Sequence, residues 1–197
     1  MERKRLKPWD YIALVIVIFA FLLQVAGYFI PTWWSYNDPS ARHTIVVSML
    51  GSVENEADVE RTKTVIEIEG GREWLFISRA FGAFGILLNF LSLIFHLLYM
   101  CIRYDCNRSA SIYLLGASSL FILGGAIVFV ALHKELTTNL KPDLQTLGFP
   151  WGICILAGIV TIAASIVTAV ATIKKANQWD FEDEDDIDFS EVQMRRR

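Results

Sequence analysis

Cysteine and histidine are scarce in this 197-residue chain, and their scarcity limits the chemistry it can carry. The cysteines and histidines are Cys101, Cys106, Cys154, His43, His96 and His133. No cysteine falls in the polar stretch from Pro31 to Glu73, which therefore has no disulfide within it. Cys154 reads as a small apolar residue in a helix.

Catalytic signatures are also missing. The chain has no HExxH, no CxxC pair, no GxSxG and no Walker loop. No pair of acidic residues inside an apolar run offers a proton relay. The net charge of −3 gives no reason to expect a nucleic-acid surface. We therefore expect a non-enzymatic protein with no catalytic residues, no metal site, no cofactor and no nucleic-acid partner.

Apolar sequence is abundant: 54% of the residues are hydrophobic and the mean hydropathy is +0.41. It is concentrated in four runs, which are Tyr11–Ile30, Trp74–Ile102, Ala110–Leu132 and Phe149–Ile173. Each run reaches the ~20 residues that a helix needs to cross a bilayer. The pattern predicts an all-α membrane protein built on a four-helix transmembrane bundle, with the lipid bilayer as its first partner.

The first run follows the basic segment MERKRLK, as the apolar region of a signal peptide would. It is longer than such a region usually is, and no A-x-A cleavage site closes it. We expect a retained helix. Cleavage would leave three spans and move the C-terminus outside.

Basic residues indicate the orientation. If every run spans the membrane, the flanks before the first run, between the second and third runs and after the fourth run lie on the same side. These flanks carry Arg3, Lys4, Arg5, Lys7, Arg103, Arg108, Lys174 and Lys175. By the positive-inside rule this side is the cytoplasm. The expected organisation is a cytoplasmic N-terminus (1–10), a transmembrane domain (11–175) with an extracellular segment (31–73), and an acidic cytoplasmic tail (176–197), most simply in the plasma membrane.

Arg79 lies close to the start of the second run. A charge at mid-membrane would cost several kcal/mol, so we expect Arg79 to lie near an end of the span. The predicted orientation puts it at the outer end, where it can reach headgroups or an acidic partner. Gln24, Asn89 and His96 lie deeper, and we expect them to hydrogen-bond between helices. A role in transport or gating is the alternative.

The segment 31–73 has a β-like pattern. His43–Leu50 and Arg61–Glu69 are rich in β-branched residues, and the second alternates as a half-buried strand does. The acidic stretch between them reads as a turn or loop. The stretch YFIPTWWSY suits a further strand, with Trp33 and Trp34 at the membrane interface. We expect a small antiparallel extracellular sheet on top of the bundle.

Small residues suit close helix packing. In the fourth run they recur in steps of three and four, at Ala157, Thr161, Ala164, Ser165, Thr168 and Thr172. Glycines in the second and third runs offer matching surfaces. Cys101 and Cys106 flank Arg103 at the end of the second run, a position that suits palmitoylation, although both also read as ordinary residues.

The tail turns strongly acidic from Glu182 to Asp186, and repulsion between like charges predicts disorder there.

These features together resemble the claudin superfamily, which includes the peripheral myelin protein, epithelial membrane protein and stargazin-like groups. Trp33-Trp34 lie where the family has its W-x-L-W region. SRAFGAFGILLNF is similar to the family's "ARAL" entry to its second helix, with Arg79 and Ala80 on the matching positions. FILGGAIVFVAL resembles the Gly-rich third helix, and GFPWGICILAGIVTIAA the start of the fourth. The resemblance covers about 7–175.

Two departures accompany it. The extracellular cysteine pair of claudins is absent, and MRRR stands where a PDZ-binding ending is usual. The resemblance implies a divergent, claudin-like protein of cell–cell junctions, adhesion or membrane organisation. It would act through its sheet on other membrane proteins or on a second copy of itself. The alternatives are an auxiliary subunit of an ion channel or receptor and, less well supported by four spans without buried charge, a small transporter.

Overall fold

A computed structural model of the protein describes residues 8–38, 43–50, 52–56, 59–63, 73–133 and 145–194. Four α-helices dominate it: α1 (Pro8–Phe29), α2 (Glu73–Ile102), α3 (Asp105–Leu132) and α4 (Pro150–Met194). Five short strands complete the described part: β1 (Trp34–Asp38), β2 (His43–Val47), β3 (Ser52–Glu56), β4 (Val59–Lys63) and β5 (Gln145–Leu147).

All four helices are long and apolar enough to cross a membrane, counting α4 only as far as Ile173. The predicted runs are confirmed, with starts that shift by a few residues. The largest shift is in α3, which begins at Asp105 rather than Ala110 and so brings Arg108 inside the helix. The chain is a multi-pass membrane protein by the length and composition of these helices.

The helices form a ring in which α1 packs on α2 and α4, and α3 packs on α2 and α4. The α2–α3 connection is only Arg103-Tyr104, and Arg103 has a left-handed backbone, with φ 63°. One end of the bundle carries the strands, and we call it the sheet end. At the opposite end lie Pro8, the α2–α3 turn and Ile173.

The strands form one antiparallel sheet in the order β4-β3-β2-β1-β5. Trp34 is central to its register, since it stands opposite Val47 of β2 on one side and Leu147 of β5 on the other. A small sheet at one end of the bundle is confirmed, including the strand predicted around the two tryptophans.

Two details of the sheet differ from the sequence prediction. The acidic stretch after Leu50 was expected to be a turn or loop, but Ser52–Glu56 forms β3 and pairs with β2. The predicted strand 61–69 is represented by β4, which starts earlier, at Val59; residues 64–72 lie outside the described part.

Small residues do bring the helices together. In α4, Ala157, Thr161, Ala164 and Thr168 are fully buried, which confirms most of the face predicted from their spacing. Ser165 and Thr172, also predicted on that face, are half-buried. Gly116 of α3 differs, because a Cβ added there would meet nothing within 4 Å.

Hydroxyl groups add polar ties between α2 and α3. Ser78 Oγ donates to the carbonyl of Gly125 at 2.8 Å, and Ser118 Oγ donates to the carbonyl of Gly85 at the same distance. Deeper along the pair, the hydroxyls of Ser92 and Ser111 lie 2.9 Å apart. In a bilayer such bonds satisfy polar groups that lipid cannot.

The backbone of α4 stays helical through the acidic segment to Met194, where the sequence predicts disorder. No glycine or proline interrupts the chain after Gly158. Extending a helix that already exists costs far less than starting one, which accounts for the continuation.

Candidate functional site: the junction of sheet and bundle

Trp33 joins the sheet to the helices. Its side chain is 2% exposed, and its indole Nε1 donates to the carbonyl of Gly27, near the end of α1, at 3.0 Å. The ring meets Phe129 of α3 edge-on, with centroids 5.1 Å apart. Its backbone N–H donates to Val47 at 3.1 Å, and its carbonyl accepts from Gly148 at 2.9 Å. One residue thus contacts α1, α3, β2 and the segment after β5.

Trp34 supplies apolar area to the same junction. It is 1% exposed and belongs to a buried cluster with Val47, Met49 and Leu75. Its indole Nε1 has no hydrogen-bond partner among the described residues. Both tryptophans lie between the sheet and the helix ends, and their expected place at the membrane interface stays a prediction.

Arg79 lies at the sheet end, as its position at the start of the second run predicts. Its guanidinium Nη2 donates to the carbonyl of Ser48, just after β2, at 2.7 Å. The backbone carbonyl of Arg79 accepts from the hydroxyl of Tyr28 in α1 at 3.2 Å. The cation therefore links α2 to the sheet, and its backbone links α2 to α1.

The segment between α3 and α4 contributes β5, which the sequence analysis did not predict. Ser35 of β1 and Thr146 of β5 place their hydroxyl oxygens 2.7 Å apart. Directly after β5, Gly148 passes so close to Thr32 that a Cβ would overlap the carbonyl oxygen of Thr32. Only glycine allows this approach. Described residues of the α1–α2 segment and of the α3–α4 segment thus meet at Trp33 and Trp34.

A small cavity lies under this junction, with Gln24, Tyr28, Trp33, Met49 and Cys154 among its lining residues. Its volume is about 10 Å³, close to the lower limit for one water molecule. It is too small for a cofactor or a substrate.

Gln24 and Asn89 meet in the interior of the bundle. The amide Nδ2 of Asn89 donates to Gln24 Oε1 at 3.0 Å, and both side chains are buried. The expected hydrogen bonding between helices is thus present for this pair. It joins α1 to α2 at mid-bundle.

His96, the third of these residues, is 1% exposed and lies next to the backbone of Asp10 in α1 and to Arg108 in α3. Its hydrogen bonding between helices stays a prediction. Its ring packs edge-on against Tyr99, with centroids 6.4 Å apart.

The opposite end of the bundle holds a buried ion pair that the sequence analysis missed. Arg108 Nη2 lies 3.2 Å from Asp10 Oδ1, and both side chains are almost fully buried. The guanidinium also donates to the hydroxyl of Tyr99 at 3.1 Å and to the carbonyl of Thr168 at 3.4 Å. The three partners come from α1, α2 and α4, which are the three other helices of the bundle. In the sequence Arg108 is one of the basic residues that flank the runs, and Asp10 lies just outside the first run.

Cys101 and Cys106 are free and exposed on either side of the α2–α3 turn, whereas Cys154 is buried among the helices. In the described part of the chain no group of three metal-binding side chains comes together.

A scan against protein-family models and a search of curated proteins return no match to this chain. The geometry supports only a class: a multi-pass membrane protein with four apolar helices and a small sheet packed on one end.

Proposed function

We propose that this chain is a non-enzymatic, claudin-like membrane protein that acts in cell–cell junctions, adhesion or membrane organisation. The sheet end faces outside, at the plasma membrane, and both termini are cytoplasmic. The sheet is the part that meets another membrane protein or a second copy, on the same or a facing cell.

One observation carries this proposal: the sheet is held on the bundle as a single fixed unit. Trp33 and Trp34 are buried between the two, and Arg79 donates to Ser48 across the same boundary. The sheet therefore has a defined orientation relative to the helices. A recognition surface needs such a defined orientation, because a flexible loop would lose conformational entropy on binding.

The outward direction of the sheet end rests on the basic residues at the other end. Arg103 follows α2 there, and Lys174 and Lys175 follow the apolar part of α4. Arg108 is neutralised by Asp10 and no longer counts as a free flanking charge. The remaining flank residues still favour a cytoplasmic location.

A cell-contact experiment tests the proposal. A tagged protein is expressed in non-adherent cells, and its enrichment at contacts is measured between expressing cells and between expressing and non-expressing cells. Enrichment at contacts, without a co-purified channel, is the expected result. A stoichiometric channel or receptor subunit in the purified complex, without enrichment at contacts, would replace adhesion with the auxiliary-subunit function.

The matched variants are Arg79→Met and Arg103→Met, which remove the same charge from opposite ends of the bundle. Arg79→Met removes the side-chain bond to Ser48 and is expected to reduce contact enrichment at equal surface level. Arg103→Met leaves the sheet junction intact and should retain it. Equal enrichment of both variants would show that the fixed orientation of the sheet is not what adhesion uses.

A further inference from the structure

The two exposed cysteines, Cys101 and Cys106, each lie at the end of a stripe, which here means a row of exposed residues along one helix face. Along α2, Leu87, Ile94 and Cys101 follow one another at intervals of two helical turns, and all three are exposed. Residues two turns apart share a helix face, so Cys101 continues a face that is apolar and turned away from the other helices.

The same arrangement is repeated on α3. Cys106, Tyr113, Leu120 and Ile127 are again two turns apart, and all are exposed. The two stripes meet at the tight α2–α3 turn, where Ile102 and Tyr104 are also exposed. Two independent helices thus each place a thiol at the end of a surface that lipid chains cover.

We propose that Cys101 and Cys106 are S-acylation sites whose fatty acyl chains lie along these two stripes. Their position at the end of the spans puts the thiols at headgroup depth, within reach of a membrane-bound acyltransferase. An attached chain can then pack on the apolar faces of α2 and α3 without displacing any contact within the bundle. Two chains at one turn would hold this end of the hairpin in the bilayer.

The chemistry is a transfer between thioesters. The cysteine sulfur, as thiolate, attacks the acyl carbonyl of a fatty acyl-coenzyme A. A new S–C(acyl) bond forms, the bond to the coenzyme A sulfur breaks, and the proton lost by the cysteine thiol goes by way of the transferase to the coenzyme A thiolate. Nothing is oxidised or reduced. Cys154 is shielded by its packing in the bundle and should stay unmodified.

The proposal rests on the proposed cytoplasmic location of the α2–α3 turn, but not on adhesion. The full chain is purified from cells, free thiols are blocked, and thioesters are exchanged for a mass tag with hydroxylamine. Hydroxylamine does not release disulfides, so a Cys101–Cys106 bond would give no signal. The wild-type protein should acquire up to two tags.

Serine variants assign the sites. Cys101→Ser and Cys106→Ser should each keep about half of the signal if the sites are independent, the double variant should lose it, and Cys154→Ser should keep all of it. Signal that persists in the double variant would overturn the assignment.

A second measurement separates orientation from modification. In cells treated with an acyltransferase inhibitor, a membrane-impermeant maleimide should label the two thiols only after permeabilisation. Labelling in intact cells would overturn both the orientation and the modification. Labelling that requires permeabilisation, with no thioester in untreated cells, would overturn the modification alone.

Discussion

Arg108 and Asp10 form a buried ion pair, with Nη2 and Oδ1 3.2 Å apart, at the end of the bundle away from the sheet. The arginine belongs to α3 and the aspartate to α1, and the guanidinium also bonds to Tyr99 of α2 and Thr168 of α4. Its Cζ atom lies 5.0 Å from the centroid of the Tyr99 ring, which adds a cation–π contact. One side chain thus contacts every other helix of the bundle.

We predict that Asp10→Asn lowers the free energy of unfolding by about 3–5 kcal/mol, because it leaves the Arg108 charge buried without its counter-ion. Unfolding of the purified protein in detergent micelles measures this change. The control is Asp105→Asn, an exposed acid in the first turn of α3, where the cost should stay below about 1 kcal/mol.

Replacing both members of the pair gives a sharper test. The double variant Asp10→Leu, Arg108→Met removes both charges together and should be more stable than Asp10→Asn, since no unpaired charge remains. If the double variant lost as much free energy of unfolding as Asp10→Leu and Arg108→Met lose when added together, the two residues would not interact.

The junction of sheet and helices leads to a prediction about local stability. Arg79→Met removes a hydrogen bond from a charged donor to the carbonyl of Ser48, worth about 1.5–3 kcal/mol. Backbone amides of β2 should therefore exchange with solvent at least about tenfold faster, because local opening becomes easier. Hydrogen exchange followed by mass spectrometry measures the effect strand by strand.

Arg103→Met is the companion for that experiment, since it removes the same charge within the α2–α3 turn. Exchange in β2 should not change in this variant. If both variants accelerate β2 equally, the effect comes from total charge and the contact with Ser48 contributes nothing.

Much of the helical part of the fold could be predicted from sequence, because a membrane span requires a long apolar run and can be recognised from its own residues. The buried face of α4 was equally readable, since Ala157, Thr161, Ala164 and Thr168 follow helical spacing. The position of Arg79 followed from the cost of placing a charge at mid-membrane. Each of these inferences uses the residues of one segment alone: the length of an apolar run, the spacing of small residues, or the free-energy cost of a charge at mid-membrane.

The features that were missed depend on two distant segments at once. β5 is three residues long and becomes a strand only because β1 offers it a partner. The Asp10–Arg108 pair joins two residues that each lie at the edge of an apolar run. A charged residue in that position is usually an exposed flanking residue, so neither one indicates a buried pair by itself. The signal that could have found it was the presence of opposite charges at the same predicted end of two helices.

The two adjacent tryptophans provide a matched pair of substitutions. Trp33→Phe and Trp34→Phe remove the same volume, but only Trp33 donates its Nε1 hydrogen to a described acceptor, the carbonyl of Gly27. We predict that Trp33→Phe is the more destabilising by about 1 kcal/mol, the usual net value of one hydrogen bond. Thermal unfolding of the two variants in the same detergent gives the comparison. A larger loss for Trp34→Phe would show that apolar packing, rather than the bond to Gly27, fixes the sheet on the helices.

Glycine-to-alanine changes at Gly148 and Gly116 should have opposite signs. At Gly148 an alanine Cβ would overlap the carbonyl oxygen of Thr32, so the segment after β5 would have to move away from Trp33, at a cost of at least about 2 kcal/mol. At Gly116 a Cβ meets nothing within 4 Å and lies in the interior of α3, where alanine is preferred to glycine by up to about 1 kcal/mol. Unfolding measured in micelles should therefore rank Gly116→Ala above the unaltered protein and Gly148→Ala below it. If Gly148→Ala were as stable as the unaltered protein, the close approach of Gly148 to Thr32 would not be a feature of the folded protein.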